Sequence, residues 1–424
     1  MTDFEAAVIG AGPAGLATAL ALARMGVETA LVAPPHDPAR AAQDQRTTAL
    51  IGPSLRLLEN LGVWDVGWVN AGASRRQTQQ ALLGLAPLDP TYGFAAPIAA
   101  VRIADDRGGL VRAPEILFRA AEIGLASFGA NLPNPALLGA LTDAAAHAPG
   151  LARVETAGVV GIAPQAGSVR LALAEGGSVE AALAVAADGR ASQAPAAAGI
   201  AVSAWDYPQA AVVASFAHSR PHAATVNELH RRAGPLTTVP LQGLRSALVW
   251  VEEPAEARRL AALAEAAFAA ELEERLQGVL GRIGQVGPRA VHALAGRRAE
   301  RMAAARIALV GEAAHVVPPI GAQGLNLGLR DAAELADCLG GAKARGEDIG
   351  GEVVLAAYDS ARRRDVLARS LSIDILNRSL LTDLLPVEAL RGLAAHAIAG
   401  FAPLRRALMQ EGAGLAGPLP SLMR

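Results

Sequence analysis

The chain has 424 residues, 52% of them hydrophobic and only 3% aromatic, with a formal net charge of −2. That length is enough for two or three domains and a large core, and the near balance of charge excludes the basic footprint of a nucleic-acid-binding protein. The single cysteine, Cys338, excludes an intramolecular disulfide; its place in a helical run reads as a packed thiol.

From the N-terminus the pattern reads strand (Phe4–Ile9), glycine loop (10–15), helix (16–25), a turn at Gly26 and a second strand (27–33). Residues 6–23 carry no charge and approach the length of a membrane-spanning helix. Four of them, Gly10, Gly12, Pro13 and Gly15, break the first half, and Asp3 and Glu5 stand where a signal sequence would carry basic residues. The glycine-loop reading wins, and a soluble, cytoplasmic protein is expected. A helix is predicted over 52–61. Residues 71–100 lose periodicity and are expected to cross into another layer, and helical patterns return at 114–124 and 135–147. Short β-like runs with glycine turns over 154–185 suggest a meander. Alternating segments at 210–216, 225–230, 237–241 and 246–251 predict an antiparallel sheet with one face open to a ligand or a helix. A helix over 255–276 leads back to a buried strand at 306–310, and beyond Asp331 nearly everything is helical. The eight histidines show no ligand spacing, so no metal site is expected.

Three motifs carry chemistry. In Gly10-Ala11-Gly12-Pro13-Ala14-Gly15, the first glycine permits the tight turn, the second lets a pyrophosphate approach the backbone, and the third allows close helix–strand packing. Inside a full βαβ unit this points to a dinucleotide. The acidic residue expected at the end of the second strand is missing: Leu31-Val32-Ala33 runs into Pro34-Pro35, and Asp37 is a doubtful substitute. The second motif, Asp188-Gly189-Arg190-Ala191-Ser192, follows an apolar strand and would by itself be a plain turn. The third runs from Gly311-Glu312-Ala313-Ala314-His315 through Pro318-Pro319-Ile320-Gly321-Ala322 to Gln323-Gly324-Leu325-Asn326 and Asp331. Strand, proline turn, glycine and helix bring a backbone close to a flat phosphorylated cofactor, here expected to be a flavin.

Together the three motifs resemble the class A flavoprotein monooxygenases, the para-hydroxybenzoate hydroxylase fold. Arg46-Thr47-Thr48-Ala49-Leu50, Trp205-Asp206-Tyr207-Pro208, the stretch from Gln323 to Asp331 and the tail ending Pro420-Ser421-Leu422-Met423-Arg424 resemble the ubiquinone-biosynthesis hydroxylase branch. The resemblance implies an α/β protein with three parts. Residues 1–75, 101–200 and 286–345 would form a discontinuous Rossmann-type FAD-binding domain. Residues 76–100 and 201–285 would form an inserted antiparallel-sheet substrate domain, and 346–424 a C-terminal helical region.

Carried over by motif, Gly10, Gly12, Pro13, Ala14 and Gly15 would hold the FAD pyrophosphate, and Arg46 would lie along the cofactor or stand as a loop cation. Asp188 would lie near the FAD and nicotinamide sites. Gly311 and Glu312 would approach the ribityl chain, with Glu312 replacing the usual aspartate. Gly321, Gln323, Gly324, Leu325 and Asn326 would meet the flavin ring, with Pro318 and Pro319 on its substrate side. Asn134 is equally compatible with a place near FAD and with a structural turn. His315 is weighed as a catalytic candidate against a packing role beneath the turn. Pro318-Pro319-Ile320-Gly321-Ala322 departs from the order usual in the quinone branch and resembles that of simple aromatic hydroxylases.

The resemblance implies an FAD-dependent aromatic hydroxylase using O2 and NAD(P)H. The expected substrate is a polyprenylated phenol of ubiquinone biosynthesis, with a small soluble aromatic as the alternative. The apolar tail suggests peripheral contact with the inner membrane face, with partner proteins of a biosynthetic complex or with a second copy of the chain. A non-catalytic accessory flavoprotein is the rival reading, motivated by Ala33 and Glu312. A nicotinamide-only dehydrogenase is disfavoured, because it would not need the Gly311 to Asp331 segment.

Overall fold

The runs Phe4–Ile9, Thr29–Ala33, Ser178–Ala186 and Ile307–Leu309 are apolar along almost their whole length, as strands buried on both faces must be. In the computed structural model, which describes residues 2–63, 95–107, 113–382 and 385–424, they pair in parallel. Their sheet runs in the order Ala303–Ala304, Ile307–Leu309, Ser178–Ala186, Phe4–Ile9, Thr29–Ala33, Leu151–Glu155. The expected meander, Val159–Pro164 and Val169–Leu173, adds antiparallel to Ser178–Ala186. The helices Pro13–Arg24 and Gln323–Ala344 pack on each other beside this sheet.

The second sheet follows from period-two alternation. Its central strands, Val202–His218, Arg245–Glu252, Gly234–Pro240 and Thr225–Arg231, cover the four segments expected from the sequence except for Leu241. Val212, Trp250, Leu236 and Leu229 lie in one cross-strand row and pack against the helices Pro254–Ala262 and Glu265–Leu276. Val213, Val249, Thr237 and Glu228 form the next row and therefore point to the opposite face. Val202–His218 begins eight residues earlier than the alternation alone suggests, and its register is interrupted between Asp206 and Ala210. Pro208, with no N–H to give, falls inside that interruption.

Residues 114–124, expected to be helical, instead form the strand Ile116–Arg119 and a 3₁₀ turn, Ala120–Ile123. Ile116-Leu117-Phe118 is a β-branched and aromatic run, and pairing with Ala100–Asp105 overrides the local periodicity. The helix expected over 255–276 is two helices, broken at the extended residues Leu263 and Ala264. Ala100–Asp105 pairs in parallel with Thr225–Arg231, and Ala290–Ala299 pairs with Val202–His218. These two segments, expected with the nucleotide-binding part, are thus hydrogen-bonded into the second sheet. The expectation for 71–100 falls outside the described residues up to position 94.

A third, small sheet joins Thr47–Ile51, Gly129–Pro133 and Ala96–Ile98. The C-terminal region is helical as expected, in Glu352–Leu381, Leu385–Gly400 and Ala402–Gly412. No helix among the described residues is long and apolar enough to cross a membrane.

Candidate functional site

The glycine loop leaves the carboxyl end of Phe4–Ile9. Gly10 has φ +103°, a conformation that L side chains rarely adopt, and its N–H donates to the Val32 carbonyl at 3.0 Å. A Cβ there would stand 2.7 Å from the Ala187 carbonyl oxygen and 2.9 Å from the Asp188 Cα, so the Asp188-Gly189 turn is packed against the loop. A Cβ on Gly15 would stand 2.0 Å from the Gly10 carbonyl oxygen. Gly12 differs: it is exposed, and nothing lies within 4 Å of its Cβ direction. It opens the twelve-residue helix Pro13–Arg24 without a side-chain cap. Free backbone N–H groups and a helix N-terminus facing open space suit a pyrophosphate. Ala33 is buried and supplies no ribose ligand, and Asp37 accepts from Ala39 N–H (3.0 Å) and Arg40 N–H (3.1 Å) as a local cap. The exposed Glu155 stands in register with Ala33 on the next strand.

The other half of the site is built on Gly311. With φ +61° it turns the chain between the helices: its Cβ would stand 3.3 Å from Ala14 Cβ, and a Cβ on Gly328 would stand 3.1 Å from Gly311 Cα. The glycine-loop helix, the turn and the long helix Gln323–Ala344 therefore touch at three small residues. Beneath the turn lies Asp331, fully buried. It accepts from Gly311 N–H at 3.0 Å, His315 Nε2 at 2.6 Å and Arg362 Nε at 2.8 Å. Burial alone would raise its carboxyl pKa, but His315 and Arg362 hold it below the usual range. Arg362 also donates to Asp365 at 2.6 Å; against the burial that would raise it, Arg362 and Arg369 pull that carboxyl down to about 2.

Of the two roles weighed for His315, the geometry fits the packing one. Its side chain has no exposure and is bound to Asp331, so it holds the turn from below and does not reach the cavity. The Asn326 side chain is engaged inside the protein: it donates to the Ala49 and Ala322 carbonyls (2.9 and 2.7 Å) and accepts from Ile51 N–H, so both of its N–H donors are committed to the backbone. Asn134 takes the structural role, accepting from Thr48 Oγ1 at 2.5 Å and donating to Asp44 at 3.2 Å.

Above the turn is a cavity of about 560 Å³. One side carries Arg46, Glu312, Pro318, Pro319, Gly321, Gln323, Gly324 and Leu325. The opposite wall is the free face of the second sheet, with Val213, Val226, Glu228, Thr237, Val239 and Val249. The long helix starts at this cavity without a side-chain cap, so its positive end faces the space. Glu312 is half exposed and only 3.7 Å from Arg190 Nε, a loose pair that costs little to open. Arg46 is paired with Asp44 at 2.8 Å and keeps more than half its side chain exposed. His292 lines the cavity too, and burial together with the cationic Arg46 and Arg190 holds its pKa below the ordinary value. Arg190, His292, Glu228 and Thr237 were not singled out from the sequence. Glu228 and Thr237 carried a signal, since they occupy cavity-facing steps of alternating strands. The open glycine loop and the uncapped helix start fit the pyrophosphate and the flavin ring of FAD, and Glu312 stands where it can meet the ribityl chain between them.

The FAD binding domain family matches residues 3–369. "Ubiquinone hydroxylase UbiL" of Rhodospirillum rubrum is 33% identical over 422 residues, 98% of this chain and 92% of that protein. "3-demethoxyubiquinol 3-hydroxylase" of Escherichia coli is 28% identical over 97% of this chain and 98% of its own. Among solved structures, p-nitrophenol 4-monooxygenase PnpA from Pseudomonas putida superposes with a TM-score of 0.73 at 19% identity, covering 98% of this chain and 99% of that one.

Proposed function

We propose that this chain, which belongs to the FAD binding domain family and is an FAD-dependent monooxygenase, hydroxylates the aromatic ring of a polyprenylated phenol in ubiquinone biosynthesis. The observation that carries the reading is the 560 Å³ cavity, cofactor motifs on one side and an apolar sheet face on the other. Such a space takes a flat ring against an apolar wall. When bound, FAD takes two electrons from NAD(P)H and uses them to activate O2 for transfer of one oxygen atom.

The chain's own residues do the rest. The N–H groups at Gly12 and the start of Pro13–Arg24 bind the pyrophosphate, and Glu312 meets the ribityl hydroxyls. The N-terminus of Gln323–Ala344 polarises the pyrimidine edge of the ring. Pro318 and Pro319, rigid in φ, set the distance between ring and substrate. The second sheet, including Ala100–Asp105, Ile116–Arg119 and Ala290–Ala299, acts as the substrate-binding part.

A prenylated substrate is supported by Leu408, which lines the cavity and is 42% exposed. Phe401 and Leu404, exposed on or beside the same helix, continue an apolar path to the surface. A membrane surface is the natural source of such a substrate.

The test uses purified protein titrated with FAD, then supplied with NADH or NADPH, O2 and 2-geranylphenol. Hydroxylated product by mass spectrometry is expected. Failure to take up FAD would sink the reading outright, and FAD uptake with reductant oxidation that never yields product from any prenylated phenol would favour a non-catalytic flavoprotein. Deleting the gene and identifying the accumulated quinone precursor then names the substrate.

A further inference from the structure

We propose that Glu228 is the residue that binds the hydroxyl of the phenol and takes its proton, with His230 holding the carboxylate in position. This rests on the phenol hydroxylase reading above. Glu228 lies on Thr225–Arg231, between Thr237 on one side and Ile103 on the other. It lines the cavity among Val101, Val226, Val239 and Val249 and is only 7% exposed. A carboxylate in such a wall is costly unless it is paired or hydrogen-bonded. His230 Nε2 supplies one partner, donating to Oε1 at 2.7 Å. Oε2 has no hydrogen-bond partner among the described residues, although the carboxylate borders the space where the ring must lie. Thr237, the cross-strand neighbour, adds a hydroxyl on the same face.

The half-satisfied carboxylate matches a donor, and a phenol O–H is one. In the reaction that O–H bond breaks and its proton passes to Oε2. The electron pair left on oxygen flows into the ring as the new carbon–oxygen bond forms and the O–O bond of the activated oxygen breaks. The proton leaves the attacked ring carbon for solvent, balancing one taken up by the oxygen atom that ends in water; aromaticity is restored, and Glu228 returns its proton to the phenol oxygen. One atom of O2 ends in the ring and the other in water, with two electrons from NAD(P)H.

The test compares the FAD-loaded wild type with Glu228→Gln and His230→Gln, using 2-geranylphenol and a ring-fluorinated analogue whose O–H is more acidic. An unperturbed phenol has a pKa of about 10 and needs a base, whereas the fluorinated one needs it less. Glu228→Gln is expected to lower kcat for 2-geranylphenol by about 100-fold, with a loss of under about tenfold for the fluorinated phenol and unchanged FAD affinity. His230→Gln should show a smaller loss with the same dependence on phenol acidity, and it carries the test if Glu228→Gln does not fold. A kcat within about threefold of wild type, or equal losses for both phenols, would overturn the proposal. If the wild type hydroxylates neither phenol, it is the hydroxylase reading that fails, a result distinct from both.

Discussion

The Oδ1 of Asn326 accepts a hydrogen bond from the Ile51 N–H, 3.1 Å away in space and 275 residues earlier in the chain. Its Nδ2 donates to the Ala49 carbonyl at 2.9 Å, so one amide satisfies both backbone directions of the strand Thr47–Ile51. That strand follows Arg46 and lines one side of the cavity, which makes Asn326 a clamp between the long helix and the cavity wall.

Replacing Asn326 by Ala removes these bonds and leaves half-buried backbone groups unpaired, at a cost of about 1–3 kcal/mol. Thermal unfolding should show the loss, and FAD titration should show weaker binding. Wild-type stability with wild-type affinity would mean that the strand is held by other contacts.

Asp331→Asn leaves His315 and Arg362 facing a neutral amide in a dry interior, with an expected cost of about 3–5 kcal/mol. The pH dependence has a definite sign. The folded Asp331 carboxyl sits below its ordinary value of about 3.9, so its stabilisation is full above that pH and is lost as pH falls through the lower folded value. Acid titration of stability should be less steep below about pH 4 in the Asn variant than in the wild type. Parallel curves would show that the ion pairs do not contribute.

Gly12 and Gly15 separate cofactor binding from folding. Gly12→Ala meets open space, so apoprotein stability should stay within about 1 kcal/mol of wild type while FAD binding weakens. Gly15→Ala drives a methyl into the Gly10 carbonyl, 2.0 Å away, and should destabilise the apoprotein itself. Equal behaviour of the two variants in apoprotein unfolding would contradict the packing described here.

Cys338 is half-buried on Gln323–Ala344, and burial, followed by Glu334 and Asp337, pushes its thiol up to about 12. Against a free thiol near 8.5, its thiolate fraction at pH 8 is roughly a thousandfold smaller. Maleimide labelling of the native protein should be correspondingly slow and should recover on denaturation. Fast native labelling would place the thiol in a different environment.

The βαβ unit, the strands of the second sheet and the helical tail were legible because their signals are local: glycines between a strand and a helix, apolar residues every second position, apolar residues every third or fourth. Ile116–Arg119 was misread as helix because its partner, Ala100–Asp105, is a separate strand whose pairing no local period reports. His315 and Asn326 stood in a recognised motif, yet their side chains are engaged by Asp331 and by the strand Thr47–Ile51. A motif specifies backbone shape more firmly than side-chain direction, since rotamers answer to neighbours brought in from elsewhere.

By itself the sequence determined where the backbone makes its tight glycine turns, at Gly10 to Gly15 and at Gly311 to Gly321. Steric limits on φ and on Cβ contacts act within a few residues. Only the tertiary structure decided that Asp331 is the buried anchor of the second loop, that Asn326 clamps a distant strand, and that Glu228 stands in the cavity wall. Those roles depend on cross-strand register and on which helix face is covered, and both are settled by burying the common core rather than by any short run of residues.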